Sequence, residues 1–254
     1  MYKGKKQVKL MYQKERLVDN YDKERFSHFQ GKLNHTLELF FINQAIKKNK
    51  IKELLEIAPG TGRITKELKI LKYLGLDSSP QMLKKLEKIK KSNFEFVKGD
   101  AFDLPFKKKR FECILCFRLL RHFKIKKRIK LYNEMKRVIK RDGIIIFDAL
   151  SRERGFLGKI HDFFYKIGFS IVKSKEKIYD KYYTKKELVD ELHSNGFKIL
   201  NIDSVNPDYA LFSPITRLKL NFIGRKIFDS VFKKNIRKRH SKKAFSWVVV
   251  VKKA

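Results

Sequence analysis

Apolar positions along this chain alternate between two periods. Short, nearly continuous apolar runs at 54–57, 72–77, 94–98, 111–117 and 144–147 have the length and β-branched content of strands covered on both faces. Between them apolar residues recur every three or four positions. Ser79-Pro80 opens one such helix, with Met82, Leu83, Leu86 and Ile89 as its stripe. A second runs through 134–139 and is stopped at Arg141-Asp142-Gly143. Upstream, Leu33, Leu37, Phe40 and Phe41 mark an amphipathic helix. Downstream, Thr184 and Glu187 form a capping box before Leu188 and Leu192, and Asn195-Gly196 ends that helix. Runs at 197–205 and 245–251 supply two more strands. Strand and helix alternating in this way specify an α/β fold with a mostly parallel sheet.

The first run contains a carboxylate, Glu56, and leads into Ala58-Pro59-Gly60-Thr61-Gly62-Arg63. The second run ends on Asp77. A strand, a glycine turn, a helix start and an acid at the next strand end form the spacing of a nucleotide-binding βαβ unit. A pyrophosphate needs the turn and the helix start free of negative charge, and Glu56 stands almost on that spot. Thr65 also occupies the place of the third glycine of the dinucleotide pattern. Asp100 and Asp148 follow at or just past the ends of the third and fifth runs, so acids collect at the strand edge where open α/β sheets bind ligands. The alternative for each is a turn or helix cap. A cationic nucleoside fits this charge pattern better than a phosphate, and S-adenosyl-L-methionine, with an ammonium, a sulfonium and a ribose diol, is such a ligand.

Residues 50–150 resemble the core of the class I S-adenosylmethionine-dependent methyltransferases, in particular the ubiquinone/menaquinone-biosynthesis-like (type 11) group. The resemblance rests on Leu55-Glu56-Ile57-Ala58-Pro59-Gly60-Thr61-Gly62, on Gly75-Leu76-Asp77-Ser78-Ser79-Pro80-Gln81-Met82-Leu83, on Gly99-Asp100-Ala101-Phe102-Asp103-Leu104-Pro105-Phe106, and on Arg137-Val138-Ile139-Lys140-Arg141-Asp142-Gly143. It implies a Rossmann-like, seven-stranded, mostly parallel sheet with helices on both faces and an antiparallel last strand. It further implies that Glu56 holds the methionine ammonium and that Ala58, Gly60 and Gly62 let the backbone pass the donor. Asp77 then takes the ribose hydroxyls, with Ser78 beside it. Asp100 takes the adenine amino group, Ala101, Met82 and Phe102 offer apolar surface to the ring, and Phe117 also borders the donor; core packing is the alternative for Met82. Pro59 and Asp142 depart from common family residues without touching the charge logic. The Asn/Asp-Pro-Pro-aromatic signature of enzymes that methylate base amines is missing after the fourth strand, where Phe117-Arg118-Leu119-Leu120-Arg121-His122 stands instead. DNA is therefore not an expected partner. His122 is the candidate general base for a protic acceptor, a capping or core histidine being the alternative. Arg118 is a candidate acceptor contact.

At 254 residues the chain is expected to be a single domain: a helical arm over 1–48, the core over 50–150, a substrate-cap insertion over 151–183, and a C-terminal completion over 184–254. Tyr21 and Arg25 resemble arm residues that fold over the donor in this family; a solvated helix start explains them equally. Phe156, Phe163, Phe164, Tyr165, Phe169, Tyr179, Tyr182 and Tyr183 gather in the insertion, as an acceptor surface or as the cap's own core. Sixty-two basic against 27 acidic residues give a net charge of +35. Within the basic segment 207–243, the stretch from Lys233 to Lys243 carries seven basic residues and no acid: Lys233, Lys234, Arg237, Lys238, Arg239, Lys242 and Lys243. Docking on an anionic membrane or on RNA would use such a patch, and a lysine-rich solvated surface is the alternative. The N-terminus lacks an apolar signal segment and no run is long enough to span a bilayer, so a cytoplasmic location is expected. Cys113 and Cys116 point to opposite faces of one strand and are expected as buried thiols, with no metal site. The function expected is methyl transfer to oxygen or carbon of a small or lipid-like acceptor. RNA methylation and a non-catalytic binding role are the alternatives.

Overall fold

The computed structural model describes residues 29–89, 91–153, 179–206 and 223–254. Tyr21, Arg25, the insertion aromatics before Tyr179 and positions 207–222 lie outside them. Eight strands form one sheet: β1 (Glu53–Ile57), β2 (Lys72–Asp77), β3 (Phe94–Lys98), β4 (Phe111–Cys116), β5 (Ile139–Ser151), β6 (Tyr182–Tyr183), β7 (Phe197–Val205) and β8 (Ser246–Lys253). The order is β3-β2-β1-β4-β5-β8-β7, with the two-residue β6 joined to β5. The strands from β3 to β5 run parallel, and β8 lies antiparallel between β5 and β7. The expected seven long strands and the reversed last one are all present, and β6 is additional.

Helices cover both faces. On one, α3 (Ile125–Val138) and α4 (Lys185–Ser194) bury Leu131, Tyr132, Met135, Leu188 and Leu192 against the sheet. On the other, α1 (Phe29–Lys48) and α5 (Ile223–Arg237) bury Leu33, Leu37, Phe41 and Val231. The short α2 (Pro80–Leu86) begins at Ser79, whose side chain accepts from the Met82 amide. The Thr184–Glu187 capping box forms reciprocally. Cys113 and Cys116 are free, buried and on opposite faces. No described helix is long and apolar enough to cross a membrane.

Three expectations are corrected. The glycine turn is followed by a single 3₁₀ turn, Thr65–Glu67, rather than an α-helix. Returning along five-residue β1 takes roughly 17 Å, which a helix at 1.5 Å per residue would spend about 11 residues on. Too little of the connection remains for that after the turn; Leu68 closes the 3₁₀ turn in an extended conformation and 68–71 carry no helix. Second, β5 starts at Ile139, with no stop at Gly143. Its pairing with β4 slips between Phe111 and Cys113, so the intervening residues bulge. Third, β5 continues past Asp148 to Ser151, because Leu150 still pairs with Ser246 of β8. Asp148 is therefore internal to its strand.

Candidate active site

At the C-terminal ends of β1, β2, β3 and β4 a cleft opens, bordered by Glu56, Ala58, Gly60, Asp77, Ser78, Met82, Asp100, Ala101, Phe117, Arg118 and His122. Every sequence-predicted site residue within the described chain therefore meets in one place, except Gly62.

Glu56 is the most consequential of them. It is 2% exposed, and its Oε2 accepts from the Thr65 hydroxyl at 2.7 Å and from the Tyr73 hydroxyl at 2.7 Å. Both bonds fall on one oxygen, and no donor among the described residues reaches Oε1. Burial pushes the carboxyl above its ordinary range, against the two hydroxyls and Arg63, which pull it down. A buried carboxylate with an unused oxygen at a cleft is a site for a cation. The residue standing where a third glycine was sought thus has a use of its own: Thr65 orients Glu56. Neither Thr65 nor Tyr73 carries a sequence signal for this role, since the contact forms only when β1, β2 and the turn come together.

Asp77 is also buried. Its Oδ1 accepts from the Ser79 amide at 2.8 Å and its Oδ2 from the Gly60 amide at 3.1 Å. Burial raises this carboxyl too, and the backbone donors oppose the shift. Each oxygen keeps acceptor capacity, as binding a vicinal diol requires. Asp100 accepts from the Phe102 amide at 3.0 Å beyond β3, with Ala101, Phe102 and Met82 supplying apolar surface nearby.

The two turn glycines have different tasks. Gly60 has φ +62 and a Cβ there would meet nothing within 4 Å, so its backbone faces open space. Gly62 has φ +75, but a Cβ would lie 2.6 Å from Ile89 Cδ1 and 2.9 Å from Leu86 Cδ2. Gly62 thus makes room for Leu86 at the end of α2 and for Ile89 just beyond it, and it does not border the cleft. Ala58 (φ 56) and Arg118 (φ 58) hold left-handed conformations without being glycine, a strain of about 1–2 kcal/mol each that is characteristic of functional loops.

Asp148 does not border the cleft. It accepts from the Arg118 amide and lies 3.8 Å from the Arg121 guanidinium, so it fastens the exit of β4. Behind the cleft, Glu38 of α1 is 2% exposed and meets Arg63 at 2.7 Å and Arg118 at 3.6 Å. Arg63 also contacts His35, whose other nitrogen lies 2.6 Å from Glu67. Burial alone would raise Glu38, but the two arginines outweigh it and hold its carboxyl down. Burial, and then Arg63, lower His35. This latch joins α1 to two residues of the cleft, and no local pattern announced it.

His122 is 8% exposed and follows β4 in a 3₁₀ turn, Leu120–His122. Its Nδ1 lies 3.2 Å from the Tyr179 carbonyl and 3.0 Å from Asp180 Oδ1. Its Nε2 is buried without a hydrogen-bond partner. Of the basic run, Arg239 is half-buried, pairs with Asp203 at 2.7 Å and covers the Phe41 ring, so it anchors the fold; the other six side chains are exposed. No cluster among the described residues has the make-up of a metal site.

S-adenosylmethionine fits this cleft on the structure's own terms. Glu56, with an oxygen to spare, would hold its ammonium, Asp77 its diol, and Ala101, Phe102, Met82 and Asp100 its ring and amino group. No α-helix N-terminus stands at the glycine turn, so the anion site a dinucleotide would need is not built.

Comparison with known proteins gives a consistent picture. A family model described as a methyltransferase domain matches residues 55–147. Over 120 residues the chain is 38% identical to the demethylmenaquinone methyltransferase of Thermotoga maritima, covering 45% of this chain and 51% of that protein. Over 167 residues it is 34% identical to an uncharacterized protein of Methanocaldococcus jannaschii, covering 61% of this chain and 74% of that one. The chain thus spans about half the length of the first relative and about three quarters of the second. Among solved structures, the DhpI–SAH complex superposes with a TM-score of 0.66 at 15% identity, over 98% of this chain and 96% of that chain, a likeness of fold.

Proposed function

Because the chain belongs to the class I S-adenosylmethionine-dependent methyltransferases, we propose that it moves a methyl group from S-adenosylmethionine to oxygen or carbon of a small or lipid-like acceptor. The observation that carries the donor half is Glu56, a buried carboxylate held by Thr65 and Tyr73 with one oxygen left for a cation. When bound, the donor supplies an activated methyl on a sulfonium. The chain's own residues then align and shield. Glu56 and Asp77 fix the two ends of the nucleoside, and Phe117, Leu119 and Phe123 give the acceptor side an apolar wall. Alignment of reacting groups can supply roughly 7–11 kcal/mol in favourable systems. His122 borders the same wall and receives the proton of a hydroxyl or acidic carbon. Support for a small or lipid-like acceptor comes from this apolar wall and from the missing base-amine signature.

RNA as acceptor is the second reading, motivated by the +35 charge and the exposed Lys233, Lys234, Arg237, Lys238, Lys242 and Lys243. The same residues suit peripheral contact with an anionic membrane. Titration calorimetry with S-adenosylmethionine, against nicotinamide and flavin dinucleotides as controls, tests the donor assignment. Transfer of radiolabelled methyl into cell extract, fractionated into lipid, RNA, protein and small-molecule pools, tests the acceptor. Label in the lipid or small-molecule pool supports the proposal, and label confined to RNA replaces it with the second reading.

A further inference from the structure

His122 sits in an asymmetric setting that goes beyond its candidacy as a base. One side of the ring is fully engaged. Nδ1 faces two acceptors, the Tyr179 carbonyl at 3.2 Å and Asp180 Oδ1 at 3.0 Å. Only the carbonyl meets hydrogen-bond geometry, and the Asp180 oxygen stands beside it as a charge contact. On the other side, Nε2 is buried and makes no hydrogen bond among the described residues, while the residue borders the cleft. A nitrogen flanked by two acceptors carries the proton, so the neutral ring keeps its lone pair on Nε2.

Further contacts hold the arrangement. Arg121 Nε lies 3.3 Å from Asp180, and the Arg121 carbonyl accepts from the Lys181 amide at 2.8 Å. Tyr182 and Tyr183 pair with β5 immediately afterwards. Asp148 lies behind Arg121. The 179–181 stretch is thus pinned to the turn that carries His122.

We propose that Tyr179 and Asp180 are positioning residues that make His122 a base through Nε2, and that the acceptor's nucleophile arrives protonated, as a phenol- or enol-type hydroxyl or an acidic carbon. The inference rests on the methyltransferase reading. The acceptor's O–H or C–H bond breaks with its proton passing to Nε2. The electron pair released forms the bond to the sulfonium methyl, and the C–S pair leaves on sulfur as a neutral thioether. The Tyr179 carbonyl fixes the tautomer, and Asp180 balances the imidazolium that forms.

Full-length protein labelled with 15N-histidine gives the test, with His122→Gln identifying the resonance. The neutral His122 ring is expected as the Nδ1–H tautomer, the minor form for a free imidazole; an Nε2–H tautomer overturns the proposal. Asp180→Ala should retain that tautomer and keep calorimetric S-adenosylmethionine affinity within twofold. It should also lower kcat at least tenfold on the pool that accepts label, at unchanged KM, with Asp180→Glu recovering part of the loss. Wild-type turnover in Asp180→Ala overturns the role of Asp180, and should that variant not fold, Asp180→Asn serves in its place. Failure of the wild type to bind S-adenosylmethionine defeats the underlying reading instead, and the two failures are told apart by calorimetry alone.

Discussion

Glu56 sets the residue scale. Burying its carboxylate opposes folding, and the Thr65 and Tyr73 hydroxyls offset only part of that, since burial still raises it. A carboxyl raised in the folded state contributes stability below its ordinary range and loses that contribution as the pH climbs through the folded value. Asp77 behaves in the same direction. Ligand-free protein should therefore gain from neutralising Glu56. Glu56→Gln is expected to unfold at an equal or higher temperature at neutral pH, followed by scanning calorimetry. It should also lose a charge-assisted hydrogen bond to the donor, about 1.5–3 kcal/mol, which is roughly 10–150-fold in Kd. A variant that kept wild-type affinity would remove Glu56 from the donor site. Glu56 was legible in the sequence as an acid in the wrong place for phosphate. The hydroxyls that aim it were not, because Tyr73 and Thr65 reach it from a neighbouring strand and a turn, by a juxtaposition only the folded sheet creates.

Among the elements, the glycine turn separates two tasks that one motif disguises. Alanine at Gly60 meets open space and suffers only the left-handed backbone cost, about 1–2 kcal/mol. Alanine at Gly62 adds contacts of 2.6 and 2.9 Å with Ile89 and Leu86, and overpacking costs a further 1–3 kcal/mol or so. Urea midpoints should fall for both and further for Gly62→Ala. Donor affinity per folded molecule should suffer more in Gly60→Ala, whose amide orients Asp77. Equal midpoints would refute the packing role of Gly62. The seven long strands (though not the limits of β5), the Ser79 cap and the Thr184–Glu187 box were readable because each is encoded locally. The helix expected after the turn was not formed, because too short a connection remains between the turn and β2. Asp148 was misread as a strand end, since the continuation of β5 depends on β8, nearly a hundred residues away.

Across the whole molecule, the latch between α1 and the cleft responds to acid. Glu38 is held down by Arg63 and Arg118 despite its burial, so its contribution is present above the ordinary carboxylate value of 4.5 and is lost as the pH falls through the lower folded value. His35 is lowered by burial and Arg63, so its contribution begins to fall once the pH drops below the ordinary 6.5. Both signs agree. Hydrogen exchange should show α1 losing protection as the pH goes from 7 toward 5 and below, before β1, β4 and β5 do. Uniform loss would mean that the latch is not a separate unit. Glu38→Ala leaves two guanidiniums without their buried carboxylate and should cost about 3–5 kcal/mol, read from denaturant unfolding. The net charge of +35 adds an overall self-repulsion that salt relieves.

The chain leaves the sheet after β5 and rejoins it at β6, and the two ends are tied together: the Arg152 amide donates to the Tyr183 carbonyl at 2.7 Å, and Leu150 and Ser151 pair with Tyr182 and Tyr183. Whatever lies between departs from and returns to neighbouring, fixed points beside His122. Such a layout is modular. Exchanging residues 154–178 for a segment of another length is expected to leave the strand order and the Glu56–Asp77 end of the cleft as they are, because the fastening lies wholly in residues 150–152 and 182–183.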